Sequence, residues 1–164
     1  MGANAETSEF RIEKARSHAM IRLANGDTVR GCFFIAGASP LTSGPERVGD
    51  VLNAEHGFFP FELHDDAGQR TVLYNRAHVV TIALADNEAH RDPGYDVATR
   101  RRVSITFANA GRIVGYVRVY RPEGRDRLSD WARQPEQFRY VETDEVNLII
   151  NVSHVIEVRE VSEP

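Results

Sequence analysis

The chain is poor in the residues that most metal, redox and membrane readings need. Its 164 residues hold one cysteine, one tryptophan and, at position 14, one lysine. A single thiol, Cys32, excludes intramolecular disulfides and all-cysteine zinc sites, and it fits a reducing compartment. Beside Gly31 in an apolar stretch, Cys32 reads as a small buried hydrophobe rather than a nucleophile. No apolar run approaches the roughly 18 residues that a membrane helix needs. Met1–Thr7 has neither a basic nor an apolar region, so the expectation is no secretory leader, no membrane and a cytoplasmic protein. There is no Gly-x-Ser-x-Gly, phosphate loop, dinucleotide fingerprint or His-Glu-x-x-His. The expectation is therefore a protein that is not an enzyme and carries no cofactor.

What is present is a repeat. Ile21-Arg22-Leu23-Ala24-Asn25-Gly26 returns 84 residues later as Ile105-Thr106-Phe107-Ala108-Asn109-Ala110. Val29, Gly31 and Phe33 return at that offset as Ile113, Gly115 and Val117. Arg47, Asp50, Phe58 and Glu62 return as Arg127, Asp130, Phe138 and Glu142, now 80 residues on. Asn75-Arg76-Ala77-His78-Val79 returns as Asn151-Val152-Ser153-His154-Val155, at an offset of 76. Order is kept and the offset shrinks only at loops, as duplication with insertions and deletions would leave it.

Each copy reads as short strands around one turn of helix. Ala19–Leu23 and Val103–Phe107 alternate apolar and polar residues, the period of a half-buried strand. Asn25-Gly26-Asp27 and Asn109-Ala110-Gly111 are tight turns. Gly31 and Gly115 lie inside the return strands, where glycine marks a bulge or sharp bend. Asp50, and Ser129 or Asp130, suit the N-cap of a helical turn that Gly57 and Pro135 would stop. Phe58–Leu63 and Phe138–Thr143 read as third strands, and a bend at Asn75–His78 or Asn151–His154 divides the last two. Residues 1–17 form an N-terminal segment, either a helix around Glu9–Arg16 or an edge strand through Phe10 and Ile12. Residues 86–99, polar and containing Asp92-Pro93-Gly94, read as a linker between units at 18–85 and 100–164.

Val103-Ser104-Ile105-Thr106-Phe107-Ala108-Asn109, followed by Gly115, is similar to the opening strand, turn and second-strand glycine of the Sm-like family, Hfq-like members included. Leu73-Tyr74-Asn75-Arg76-Ala77-His78-Val79 is similar to its closing strand-turn-strand. The Arg-x-x-Asp and Asn-x-x-His-Val signatures also resemble an uncharacterised bacterial family of unknown function. The Sm-like resemblance implies a mainly β chain: two tandem five-stranded Sm-like or SH3-like small barrels, each with a short helical turn inserted between strands 2 and 3. These are two barrels or two halves of one continuous pair. It also implies edge strands that join units into rings, so a monomer, a dimer and a three-chain pseudo-hexamer are all open. A uridine pocket of the Sm-like type uses a basic turn between strands 4 and 5; here that turn is Asn75-Arg76 in one copy and Asn151-Val152 in the other.

Residue-level candidates follow from recurrence and charge. Arg47/Asp50 and Arg127/Asp130 suit an i,i+3 ion pair that locks the long loop, or a partner-binding site, with Asn53 and Trp131 alongside. His78 and His154 suit backbone hydrogen bonds at a bend, with no second ligand at metal spacing. His64-Asp65-Asp66 reads as an acidic hairpin turn, so no metal site is expected. Residues 1–96 are net −5 and residues 97–164 net +1, which places a local arginine-rich face on the second copy. The favoured function is a protein-interaction or assembly module that binds a partner protein or itself. The alternative is RNA binding through Arg100, Arg101, Arg102, Arg112 and Arg118, with Tyr116 and Tyr120 for base stacking; no DNA partner is expected.

Overall fold

A computed structural model describes residues 14–39 and 44–164 of the chain. The expected element through Phe10 and Ile12 lies outside the described residues. The fold is mainly β, and each copy of the repeat supplies five strands. The first comprises β1 (Lys14–Leu23), β2 (Thr28–Ala36), β3 (Phe58–Asp65), β4 (Gly68–Asn75) and β5 (Val79–Leu84). The second comprises β6 (Thr99–Phe107), β7 (Arg112–Val119), β8 (Phe138–Glu142), β9 (Asn147–Asn151) and β10 (Val155–Glu160). Helix α1 (Val48–Ala54) lies between β2 and β3, and α2 (Leu128–Ala132) between β7 and β8. All ten strands pair in one sheet, in the order β10-β6-β7-β8-β9-β5-β1-β2-β3-β4. Both copies thus use one internal order, fifth-first-second-third-fourth, and β5 joins them by pairing antiparallel with β9. The sheet is open, ending on β10 at one side and β4 at the other.

Local chemistry explains the elements. At the first hairpin Gly26 takes φ 94° while the Asn25 side chain accepts from the Asp27 N–H. The second hairpin puts Ala110 in that place, at φ 68°, where a Cβ is strained. Gly31 and Gly115 serve close approach: a Cβ on Gly31 would collide with the Glu62 carbonyl, and one on Gly115 would lie 2.6 Å from the Glu142 carbonyl. The helices begin two to three residues before the expected caps. Arg47 and Arg127 hold the N-cap positions, and Asp50 and Asp130 sit inside the first turn. That placement lets the Asp130 carboxylate reach back to the Arg127 N–H at 2.9 Å, while Asp50 takes the Arg47 guanidinium instead.

Two apolar clusters form, and each crosses the repeat boundary. The first packs Ile21, Phe33, Phe59, Phe61 and Ile82 with Phe138 and Ile149 of the second copy. The other packs Val103, Ile105, Val117, Trp131 and Ile150 with Val80 of the first. Strands β5 and β9 are therefore buried nearly along their length, unlike the terminal strands β4 and β10. The segment 86–99 is not a plain polar connector. It carries two 3₁₀ turns, Glu88–Arg91 and Tyr95–Val97, and buries Glu88 and Ala89.

Gly31→Ala is expected to destabilise the protein by about 1–3 kcal/mol, because a strand must shift to admit the methyl group. Ala110→Gly should stabilise it by up to about 1 kcal/mol by relieving the left-handed strain. Denaturant midpoints of the two variants check both signs.

Candidate functional site

Of the residues singled out, Asn53 and His154 lie at the seam between the copies, together with Asn151. Across it the Asn53 side chain makes a reciprocal pair with the Phe138 backbone, accepting its N–H and donating to its carbonyl, both at 2.9 Å. Buried Asn151 donates to the carbonyls of Arg76 and Val79 at 3.2 and 2.9 Å, while its oxygen accepts from Ser153 N–H and Gln137. His154 Nε2 donates to the Ala77 carbonyl at 2.7 Å. The first-copy equivalents behave differently. Asn75 closes its own turn by accepting from Ala77 N–H, but its amide nitrogen and the His78 ring have no hydrogen-bond partner among the described residues. The shared Asn and His reach across to a neighbouring unit only in the second copy, because only that copy's bend faces one.

Beside the seam lies a cleft of about 430 Å³, lined by Arg47, Asp50, Asn53 and Trp131 and, on and just beyond β7, by Tyr116, Arg118 and Tyr120. Its floor is an ion-pair and hydroxyl network. Arg47 holds Asp50 through both carboxylate oxygens, at 2.9 and 3.0 Å, and also pairs with Asp92. Burial lowers the Arg47 pKa, but bonds to Asp50 and Asp92 outweigh it and leave the guanidinium more firmly protonated than usual. Glu88 accepts from the Val48 and Gly49 N–H groups at 3.0 and 3.1 Å, and from the Tyr140 hydroxyl of β8. One buried carboxylate thus caps α1 and ties it to the second copy. Nothing in the sequence flagged Glu88, since an acidic residue in a polar connector looks like surface.

Arginine serves both helices as a C-terminal cap. Arg76 donates to the carbonyls of Leu52, Val51 and Phe58 at 3.1, 3.1 and 2.7 Å. Arg139 donates to those of Trp131, Gln134 and Glu136 at 2.6, 2.6 and 2.7 Å, its guanidinium 4.7 Å from the Trp131 ring. The expected basic turn at Asn75-Arg76 therefore spends its charge internally, and burial lowers the pKa of both arginines.

The arginine-rich stretch is divided by strand geometry, since successive side chains on β6 point to opposite faces. Arg100 stacks on Tyr116 at 3.9 Å and Arg102 donates to the Ser162 carbonyl at 2.5 Å. Arg101 pairs with Asp126 and Glu160 at 3.7 and 3.3 Å. Arg118 pairs with Glu142 at 3.4 Å and lies 3.7 Å from the Tyr95 ring. The Tyr116 and Tyr120 hydroxyls donate to Glu163 and Asp92. Exposed Arg112 has no ion pair among the described residues. Arg127 and Asp130 lie apart from the cleft, joined to each other through backbone.

A second grouping was not anticipated. Cys32 sits opposite His18 across β1–β2 and opposite Glu62 across β2–β3. Its sulfur lies 3.3 Å from His18 Nδ1 and 4.0 Å from His64 Nε2, and His64 Nε2 lies 2.8 Å from Glu62 Oε1. Arg16 pairs with Glu62 at 3.0 Å. Burial and the Glu62 charge push the Cys32 thiol up, against a smaller opposing pull from Arg16. His64 read as part of an ordinary turn because the side-chain period that aims it at Cys32 is visible only once strand register is known.

Burial and the Glu88 carboxylate raise the pKa of Tyr140. An unfolded tyrosine ionises near pH 10, so this contribution is complete below about pH 10 and falls as pH rises above it. Tyr140→Phe is expected to cost about 2 kcal/mol at neutral pH and to show a shallower alkaline loss than the parent, measured by denaturant unfolding from pH 8 to 12. No family model, curated protein or solved structure matches the chain.

Proposed function

We propose that the chain is a non-catalytic assembly module whose two small β units join end to end with those of further copies. The observation that carries this reading is a correspondence between the seam and the sheet's open edges. Phe138, Ile149 and Val80, which cross the seam, are 3%, 1% and 2% exposed. Their counterparts in the other copy are Phe58, Leu73 and Ile156, at 61%, 62% and 70%. These three apolar side chains, buried by the internal joint, thus each have a twin left in solvent on or beside a terminal strand.

The backbone supports the same reading. The seam pairs Thr81 with Ile150, Ile82 with Ile149, Ala83 with Leu148 and Leu84 with Asn147. Carried over by the repeat offset, that register pairs Glu157 with Tyr74, Val158 with Leu73, Arg159 with Val72 and Glu160 with Thr71 of the next copy. Asn75 and His78 would then make to that copy's bend the bonds that Asn151 and His154 make within the chain. Such a joint is head to tail, so it closes into a ring or runs on as a filament according to its rotation. Glu157, Arg159 and Glu160 guard β10 against indiscriminate strand pairing.

Light scattering coupled to size exclusion should show concentration-dependent oligomers, and Leu73→Arg or Ile156→Arg should each reduce them to folded monomer. A parent that stays strictly monomeric at high concentration overturns the reading. Were that monomer also to bind RNA with a log–log salt slope of about −0.7 per phosphate, lost on replacing Arg100, Arg101 and Arg102 by Ala, the RNA-binding alternative would take its place.

A further inference from the structure

The outer face of the first unit carries one buried thiol beneath two imidazoles and a carboxylate, and we propose that His18, Cys32 and His64 bind a zinc-class divalent ion, with Glu62 beside the fourth position. Three observations carry the assignment independently of how the chain assembles. The first is spacing. Zinc bonds sulfur at about 2.3 Å and imidazole nitrogen at about 2.0 Å, so tetrahedral geometry sets sulfur–nitrogen separations of about 3.5 Å. The sulfur-to-nitrogen distances here are 3.3 Å to His18 Nδ1 and 4.0 Å to His64 Nε2, and the three ligand atoms all lie within 4.8 Å of one another. Small rotamer changes bring them onto one ion.

The second is donor chemistry. One thiolate with two imidazoles is a borderline-soft set that suits zinc over calcium or magnesium. The ion's charge favours release of the Cys32 proton to solvent on binding, which the buried position otherwise opposes. Glu62 then balances the remaining positive charge, and Arg16, 3.0 Å from it, orients the carboxylate from outside. His18 and His64 also line a surface depression of about 350 Å³, which gives an ion a path from solvent.

The third is the comparison between copies. The second unit holds the same lattice positions with Arg102 opposite Tyr116 and Tyr116 opposite Glu142, and Arg100 stacked on the Tyr116 ring. The fold therefore covers this outer face without a thiol or an imidazole. The Cys-His-His grouping is particular to the first unit and is not required by the strand arrangement.

The test is titration of the untagged full chain with Zn²⁺ by calorimetry and with Co²⁺ by absorption. One ion per chain is expected, with a thiolate-to-cobalt charge-transfer band and a zinc-dependent rise in thermal midpoint. Cys32→Ser should abolish the band. His18→Ala, a change at an exposed side chain that leaves the core intact, and His64→Ala should each weaken zinc binding at least about tenfold. His56→Ala, at an exposed histidine outside the grouping, should leave zinc affinity unaltered. Absence of stoichiometric zinc binding by the folded parent, or binding that survives unaltered in His18→Ala and His64→Ala, overturns the assignment.

Discussion

The pairing of β5 with β9 is the constraint on which the rest of this structure depends. A five-stranded unit of this order leaves its fourth and fifth strands with one unpaired side each, and a short chain has little else with which to cover them. Joining the fifth strand of one copy to the fourth of the other satisfies two of these four edges within one polypeptide. The pairing also merges the apolar interiors, since Phe138 and Ile149 complete the first cluster and Val80 completes the second. Neither cluster is made by one copy alone. Buried Asn151 then fixes the joint, because its amide meets two carbonyls that would otherwise lie unsatisfied in a dry interface.

Around that joint the polar side chains act chiefly as caps. Short helices such as α1 and α2 satisfy few of their own backbone groups, and neither has the length to be stable alone. Glu88 takes the first N–H groups of α1, and Arg76 and Arg139 take the terminal carbonyls of α1 and α2. Much of the chain's cationic and anionic inventory is thereby consumed inside the fold. Part of the arginine excess of the second copy is held in the same way, while Arg112, Arg121, Arg125 and Arg133 stay exposed. Arg101 and Arg118 are held by Asp126, Glu160 and Glu142.

Duplication followed by divergence accounts for the asymmetry between the units. Two seam residues, Asn151 and His154, have counterparts of the same type in Asn75 and His78. On the outer face, by contrast, His18-Cys32 in one unit corresponds to Arg102-Tyr116 in the other, although Glu62 and Glu142 match. On the reading proposed above, the shared set serves joining and the divergent face carries whatever is particular to each unit. The exposed apolar twins Phe58, Leu73 and Ile156 belong with the shared set.

The order of strands within each copy, the helical insert and the hairpin turns were legible in the sequence, because period-two alternation, Asn-Gly turns and a repeated Arg-x-x-Asp are local signals. The pairing of Arg47 with Asp50 followed from their i,i+3 spacing. What the sequence could not show was the role of any residue whose partner is distant along the chain. Glu88 looked like linker surface and proved to be a buried cap, Arg76 looked like a ligand contact and proved to be a helix cap, and Cys32, His18 and His64 had no visible relation. Strand register decides the last of these, since it sets which side chains share a face across strands 14 to 32 residues apart. Composition and periodicity determined that this chain is a duplicated β protein; only the tertiary structure decided where its two copies meet, because that contact depends on complementary edges and not on local preference.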